Sequence, residues 1–196
     1  MEIKNGNISI LEKNTEQFEN PQLMNAFIQS TQTDWLGFAD RDVTSKEEIH
    51  QIIEENSFLL DYDVVVFGND IPEGECNCIG LLEHPQAVIY AFVFQRRLLS
   101  QAGACNRLLT GNNAYEFLLR LAEVGKVYSI PCIADKCVEC NPDTMAYIFR
   151  RYIGKLQQNG KRNDVLLKFV QAASKSGVQE EFQRSMQRFL KDSEEY

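Results

Sequence analysis

Three cysteines lie close together in the segment C-I-A-D-K-C-V-E-C, at Cys132, Cys137 and Cys140. Cys137 and Cys140 have the Cys-x2-Cys spacing of half a structural zinc site, in which four thiolates or imidazoles surround the metal. Cys76 and Cys78 are available as a second pair, although a single intervening residue is unusual for a zinc half-site. Zinc binding by these five cysteines is therefore one interpretation. The other is that they are packed, reduced thiols and the protein has no cofactor, because cysteine is often buried for packing alone.

Two catalytic or redox interpretations of the cysteines are less well supported by the spacing. A plant-type iron–sulfur cluster needs a fourth cysteine further along the chain, and none follows Cys140. A thiol enzyme needs a histidine base, and the chain has only His50 and His84. His84 lies in an E-H-P turn, where a hairpin would bring it opposite Cys76 or Cys78. A cysteine-dependent enzyme thus stays an alternative, but no Gly-rich phosphate loop, G-x-S-x-G or H-E-x-x-H motif is present, so we predict no catalytic residues.

Acidic residues are concentrated in the first half of the chain. Residues 1–90 hold 17 Asp and Glu against 4 Lys and Arg, and the whole chain has a net charge of −8. Such a surface repels nucleic-acid phosphates and anionic membranes, and it suits a basic protein partner. The alternative is that the charge only keeps the protein soluble. The predicted binding patch consists of five acidic residues that flank one strand and its turn: Asp61, Asp63, Asp70, Glu73 and Glu75.

Length and composition indicate a single domain of ordinary size. The chain has 196 residues, of which 44% are hydrophobic and 24% charged, as in a folded soluble protein. No apolar run approaches the roughly 20 residues that cross a bilayer. The amino-terminal sequence lacks the basic start and apolar stretch of a secretion signal. We therefore predict a cytoplasmic protein that contacts neither membrane nor nucleic acid.

The elements that would position these residues begin with a short hairpin at 2–11, where Asn-Gly favours a tight turn. A helix follows from Pro21, with Asn20 as its cap. The segment T-Q-T-D-W-L-G-F-A-D-R-D, which contains the single tryptophan, has the composition of a turn-rich loop. Thr44 and Glu47 have the spacing of a capping box for a second helix that reaches about Asn56.

The central and carboxy-terminal parts differ in character. Residues 61–70 and 87–94 are β-branched and apolar runs typical of strands, and C-N-C-I-G-L-L stands between them. A helix that ends at Gly125 and a strand with the sequence K-V-Y-S-I-P-C follow. After residue 140 the apolar periodicity predicts three helices. The fold class is therefore α+β, with a small, mostly antiparallel sheet flanked by helices, in one domain spanning 1–196 (a mixed part to about 140 and a helical part from about 141).

Residues 62–122 resemble the SUKH superfamily of immunity and cell-wall-regulator proteins. D-V-V-V-F-G-N-D resembles a strand and turn of that fold, C-N-C-I-G-L-L and A-V-I-Y-A-F-V-F resemble the strands that follow, and N-N-A-Y-E-F-L-L-R-L resembles its helix. The Asn-Gly-Gly segment of the family is missing, and the last three helices have no counterpart. The resemblance implies a non-enzymatic binding protein. We therefore predict an immunity or adaptor factor that uses an acidic surface, with a zinc-stabilised subunit of a larger assembly as the alternative.

Overall fold

The structure is a computed structural model that describes residues 7–85, 89–132 and 140–191. Six strands form one sheet: β1 (Ile8–Lys13), β2 (Trp35–Asp40), β3 (Val64–Gly68), β4 (Gly74–Cys76), β5 (Ile89–Gln95) and β6 (Val127–Pro131). The α-helices in the described ranges are α1 (Thr15–Phe18), α2 (Pro21–Ser30), α3 (Lys46–Glu55), α4 (Cys78–Leu82), α5 (Leu99–Ala102), α6 (Asn113–Val124), α7 (Pro142–Gln158), α8 (Arg162–Lys175) and α9 (Gln179–Lys191). Short 3-10 turns occupy Ser57–Asp61 and Arg96–Leu98.

The strand order is β1-β2-β5-β3-β6-β4, and the pairs β2–β5, β3–β5 and β4–β6 are antiparallel while β1–β2 and β3–β6 are parallel. The predicted fold class, α+β with a mostly antiparallel sheet, is confirmed. Strands β1, β2, β3 and β6 all run in the same direction, so their carboxyl ends meet along one side of the sheet. We call this side the carboxyl edge and the opposite side the amino edge.

Both faces of the sheet are covered, which explains the continuous apolar sequence of its central strands. Along β3, Val64 and Val66 point into the larger hydrophobic cluster, whereas Val65 and Phe67 point into the smaller one on the other face. The larger cluster includes side chains of α6, α7 and α8 and reaches Phe182 in α9. The smaller cluster is closed by α3 and the Ser57–Asp61 turn.

Helix ends follow local sequence signals closely. Asn20 caps α2 by accepting hydrogen bonds from the backbone N–H groups of Gln22 and Leu23, and Asn141 caps α7 in the same way through Thr144. The capping box of α3 is one residue later than predicted: Ser45 and Glu48 form it, not Thr44 and Glu47.

The predicted loop at 31–42 is wrong, because Trp35–Asp40 is strand β2 and every residue in it is buried. Its glycine made the segment look like a turn. A Cβ atom at Gly37 would lie 2.7 Å from Val93 Cγ1 and 2.9 Å from Ile10 Cγ1. Gly37 therefore allows the neighbouring strands β1 and β5 to approach closely, which is a known use of glycine inside a strand.

Two further expectations need correction or lie partly outside the described residues. C-N-C-I-G-L-L is not a strand beyond Cys76: Asn77 accepts a hydrogen bond from Gly80 N–H and starts α4. The first arm of the hairpin predicted at 2–11 falls in residues 1–6, outside the described ranges, and the strand that follows pairs in parallel with β2. Among the described helices, none has both the length and the apolar character needed to cross a membrane.

Candidate functional site at the carboxyl edge

Two aspartates, Asp40 and Asp42, lie at the end of β2 and in the turn that follows it, with one residue between them. Asp40 is the last residue of the strand and is only 3% exposed, whereas Asp42 is exposed. Asp40 Oδ1 accepts a hydrogen bond from Asp42 N–H at 3.1 Å, and Asp40 C=O accepts from the N–H groups of Val43 and Thr44 at 3.0 Å. The buried aspartate thus fixes the turn, and the turn places Asp42 at the surface.

A third carboxylate reaches the same region from the connection between α1 and α2. Glu19 Oε2 accepts a hydrogen bond from the N–H of Ala114 at 3.0 Å, in the first turn of α6. The side chain of Asn112, which precedes that helix, makes no capping bond, so Glu19 supplies the cap. Burial raises the pKa of the Glu19 carboxyl; the hydrogen bonds from Ala114 and Asn113 oppose this shift, and the charge of Asp40 adds to it.

Two asparagines complete the start of α6. Asn112 has the left-handed φ of 53°, and its Oδ1 accepts a hydrogen bond from Asn141 N–H at 2.7 Å. Asn113 is 2% exposed and donates from Nδ2 to Glu19 C=O at 3.0 Å. In the part of the chain that the structure describes, Asn113 Oδ1 is the one buried side-chain nitrogen or oxygen with no hydrogen-bond partner. A buried acceptor without a partner is costly and needs an explanation, such as a water, an ion or a ligand group.

The chemistry of this edge is that of hard oxygen donors. Carboxylate and amide oxygens are the groups that bind Mg²⁺ and similar divalent cations, and Mg²⁺ usually combines one or two carboxylates with substrate phosphates and water. Asp42 is exposed enough to contact such an ion. In open α/β sheets, ligands bind beyond the carboxyl ends of the strands, where the turn after β2 lies.

No family model matches this chain, and no curated protein matches it. Solved structures do share its fold. A crystal structure of S. aureus TarS 1-349 superposes with a TM-score of 0.52 at 11% identity, covering 79% of this chain and 51% of that chain. A second crystal structure, S. aureus TarS 1-349 in complex with UDP, gives a TM-score of 0.50 at 11% identity, covering 81% and 52%. The chain therefore spans about half the length of each of these structures.

This likeness contradicts the prediction of a non-enzymatic binding factor, of the immunity or adaptor kind. The chain shares the fold of a protein that was crystallised with UDP, and Asp40 and Asp42 lie at the carboxyl end of β2 and in the turn after it. Neither TarS structure bears on the resemblance to the SUKH superfamily, which stays a prediction.

The predicted acidic patch is divided between the two edges of the sheet. Asp61 and Glu75 lie near the Tyr62 hydroxyl, and Glu73 is exposed in the turn before β4. Asp63, just before β3, is held by the Arg97 guanidinium and by Lys126 N–H at 2.8 Å. Asp70 follows the opposite end of β3. The structure thus brings Asp61 and Glu75 together and separates Asp70 from them.

The predicted zinc ligands are also distributed. Cys132 packs in the smaller hydrophobic cluster and Cys140 in the larger one, on the other face of the sheet. Cys78 is buried in α4, where burial raises its pKa to about 12, and Cys76 is partly buried at the end of β4. Cys137 lies outside the described residues. The described ranges contain no group of three or more His, Cys, Asp or Glu side chains suited to a metal ion, and zinc binding stays a prediction.

The hairpin that would have brought His84 opposite Cys76 or Cys78 does not form, because α4 occupies that segment. His84 follows the helix, and burial lowers the pKa of its imidazole.

Sequence reasoning missed the four residues of the candidate site, namely Glu19, Asp40, Asp42 and Asn113. One signal was present in the sequence. An Asp-x-Asp pair directly after the apolar run W-L-G-F-A is the pattern of acidic residues placed at the end of a buried strand. No comparable signal marks Glu19 or Asn113, because only the fold brings them to this edge.

Proposed function

We propose that this chain binds a nucleoside diphosphate, free or linked to a sugar, at the carboxyl edge through a divalent cation, and that it acts in sugar transfer. The observation that carries the proposal is the Asp40–Asp42 turn at the carboxyl end of β2, in a chain with the fold of UDP-bound TarS. The likeness supports the fold, and the turn supports the ligand class. The chain spans about half of TarS 1-349, so the activity of the whole protein is part of the proposal.

The two aspartates have different tasks in this proposal. Asp42 is exposed and would hold the cation, whereas buried Asp40 fixes the turn by accepting a hydrogen bond from Asp42 N–H. A diphosphate leaving group develops negative charge as its bond to the sugar breaks. A Mg²⁺ or Mn²⁺ ion, if held by Asp42, would supply positive charge to stabilise that leaving group.

Isothermal titration calorimetry with UDP tests this proposal directly. We expect binding in the presence of Mn²⁺ or Mg²⁺ and loss of binding in EDTA. Asp42→Asn should weaken UDP binding by about tenfold or more, equivalent to roughly 1.4 kcal/mol. The control is Asp61→Asn, an exposed aspartate near the amino edge, which should bind UDP as the wild type does. Equal UDP affinity of wild type and Asp42→Asn, or no detectable binding with either metal, would overturn the proposal.

Transfer is a separate step and has a separate readout. Slow release of UDP from a UDP-sugar, with water as the acceptor, should occur in the wild type and be lost in Asp42→Asn. UDP binding without any release from a panel of UDP-sugars would reduce the proposal to nucleotide binding alone.

We also propose a cytoplasmic location. The cysteines in the described ranges, Cys76, Cys78, Cys105, Cys132 and Cys140, are free thiols, which fits a reducing compartment. Cell fractionation checks this, and recovery of the protein outside the cytoplasmic fraction would contradict it.

A further inference from the structure

Three aromatic rings lie together at the amino edge, on the face covered by α3. The Tyr128 ring has its centroid 5.3 Å from that of Phe58, at an interplanar angle of 78°, and 5.0 Å from that of Tyr62, at 57°. Phe58 is 46% exposed, and both tyrosines are partly exposed. We call these three residues the aromatic patch. Tyr128 contacts both of the other rings, and Phe58 is exposed beside it. A cluster of partly exposed rings, unlike one exposed apolar side chain, is a feature of a binding surface.

Four carboxylates lie on the segments that carry the aromatic patch or on segments next to them. Asp61 and Glu75 both lie near the Tyr62 hydroxyl, which donates a hydrogen bond to Glu75 Oε1 at 2.8 Å. Glu54 and Glu55 end α3, within four residues of Phe58 along the chain. None of these four carboxylates takes part in an ion pair with another residue of the described ranges. The charges of these four carboxylates are therefore not balanced by ion pairs within the described ranges.

The end of α3 makes this arrangement unfavourable for the protein alone. A helix carboxyl end carries partial negative charge and favours Lys or Arg in its last turn. In α3 the last turn has no basic residue and has Glu54 and Glu55 instead. A cation brought by a ligand would remove this repulsion, whereas a neutral or acidic ligand would not.

We propose that the aromatic patch binds a cationic, lysine- or arginine-rich segment of a partner protein. Aromatic ring faces attract ammonium and guanidinium groups, and nearby carboxylates strengthen that attraction. The hydrogen bond from Tyr62 to Glu75 holds the ring and the carboxylate in a fixed relation. Two residues of the acidic patch predicted from the sequence, Asp61 and Glu75, belong to this surface. The three rings are an addition that the sequence did not reveal.

The aromatic patch is independent of the nucleotide site. Tyr62 precedes the start of β3, whereas the carboxyl edge follows the last residue of that strand, Gly68. A partner on the patch therefore leaves Asp42 accessible. The test of the aromatic patch therefore does not depend on whether the chain binds UDP.

The test uses the full chain and a defined probe, an acetylated and amidated tetralysine peptide. Aromatic carbon–proton NMR spectra should show shifts of the Phe58 and Tyr128 ring signals on titration, and the affinity should fall as salt screens the carboxylates. Phe58→Ala should weaken binding by about three- to fivefold, the range of a cation–π contact at an exposed site. The double variant Asp61→Asn/Glu75→Gln should weaken it at least as much and leaves the rings in place.

Matched controls separate this surface from general charge attraction. Leu167→Ala removes another exposed apolar side chain, and Asp164→Asn/Glu180→Gln removes two exposed charges from the carboxy-terminal helices. Both should bind the peptide as the wild type does. Equal losses in the control charge variant, or wild-type affinity in Phe58→Ala and in Asp61→Asn/Glu75→Gln, would overturn the proposal. So would equal binding of the neutral, ε-acetylated tetralysine or of a neutral oligosaccharide, because the surface would then not recognise positive charge.

Discussion

Two aspartates at opposite ends of the sheet have contrasting surroundings. Asp63, at the amino edge, is bound by the Arg97 guanidinium and by Lys126 N–H, so its charge is balanced and it ties β3 to the start of β6. Asp40, at the carboxyl edge, lies close enough to Glu19 to raise the pKa of that carboxyl. Like charges placed together inside a protein cost stability, and such arrangements are enriched at functional sites. The amino-edge aspartate therefore has a structural role, and the carboxyl-edge group has the features of a binding site.

The largest effect on stability is expected at the amino edge. Asp63→Ala leaves the Lys126 N–H without its acceptor and should lower the free energy of unfolding by about 2 kcal/mol, the range for hydrogen bonds to charged groups. Asp42→Ala should change it by less than about 1 kcal/mol, because Asp42 is exposed. Urea denaturation measures both. Equal losses in the two variants would remove the distinction between a structural aspartate, Asp63, and a binding one, Asp42.

An intermediate effect is expected from pH, acting through Glu19. Burial raises its pKa in the folded state, so the folded protein holds this proton more tightly than the unfolded chain does. The contribution of Glu19 to stability is thus present at low pH and is lost as pH rises through the folded pKa. Glu19→Gln keeps an oxygen acceptor for Ala114 N–H and cannot ionise. Its stability relative to wild type should increase from about pH 4 to pH 7, as measured by unfolding at a series of pH values. A relative stability that decreases with pH would show that the ionised carboxylate is favoured in the fold.

The smallest expected effect is a change in the pKa of Glu19 when the charge of Asp40 is removed. Asp40→Asn removes one negative charge and retains an oxygen that can accept the Asp42 N–H, so the pKa of Glu19 should decrease slightly. Burial is the larger cause of the raised pKa, and it remains. The carboxyl carbon shift of Glu19, followed by NMR through a pH titration, reports this change. Asp63→Asn is the control and should leave the pKa of Glu19 unchanged.

The predictable parts of the fold are those with local signals. Asn20 before Pro21 and Asn141 before Pro142 each mark a helix start by a side-chain cap and a fixed φ, and both predictions are confirmed. Strand β2 was missed because its burial depends on β1 and β5, which lie elsewhere in the sequence, and Gly37 hid the strand pattern. The α4 helix was missed because its five residues are too few to show a helical period.

The candidate site was predictable only in part for a related reason. Asp40 and Asp42 are separated by a single residue and follow an apolar run, so the sequence itself shows this pair. Glu19 and Asn113 come from segments far apart, and the hydrogen bond between them exists only after the chain has folded. Asp63 is the opposite case. Its charge suggested a binding surface, but in the fold its carboxylate binds Arg97 and the Lys126 N–H.

The cap that Glu19 places on α6 has a consequence for the order of folding. Glu19 and Ala114 are 95 positions apart, so the first turn of α6 gains this hydrogen bond only when a long loop has closed. The middle of α6 can form earlier, because its own backbone bonds are local. The Ala114 amide hydrogen should then exchange with solvent whenever the α1–α2 connection separates from α6, even while the rest of the helix stays intact. Its exchange rate therefore reports how often the α1–α2 connection and α6 separate at the carboxyl edge.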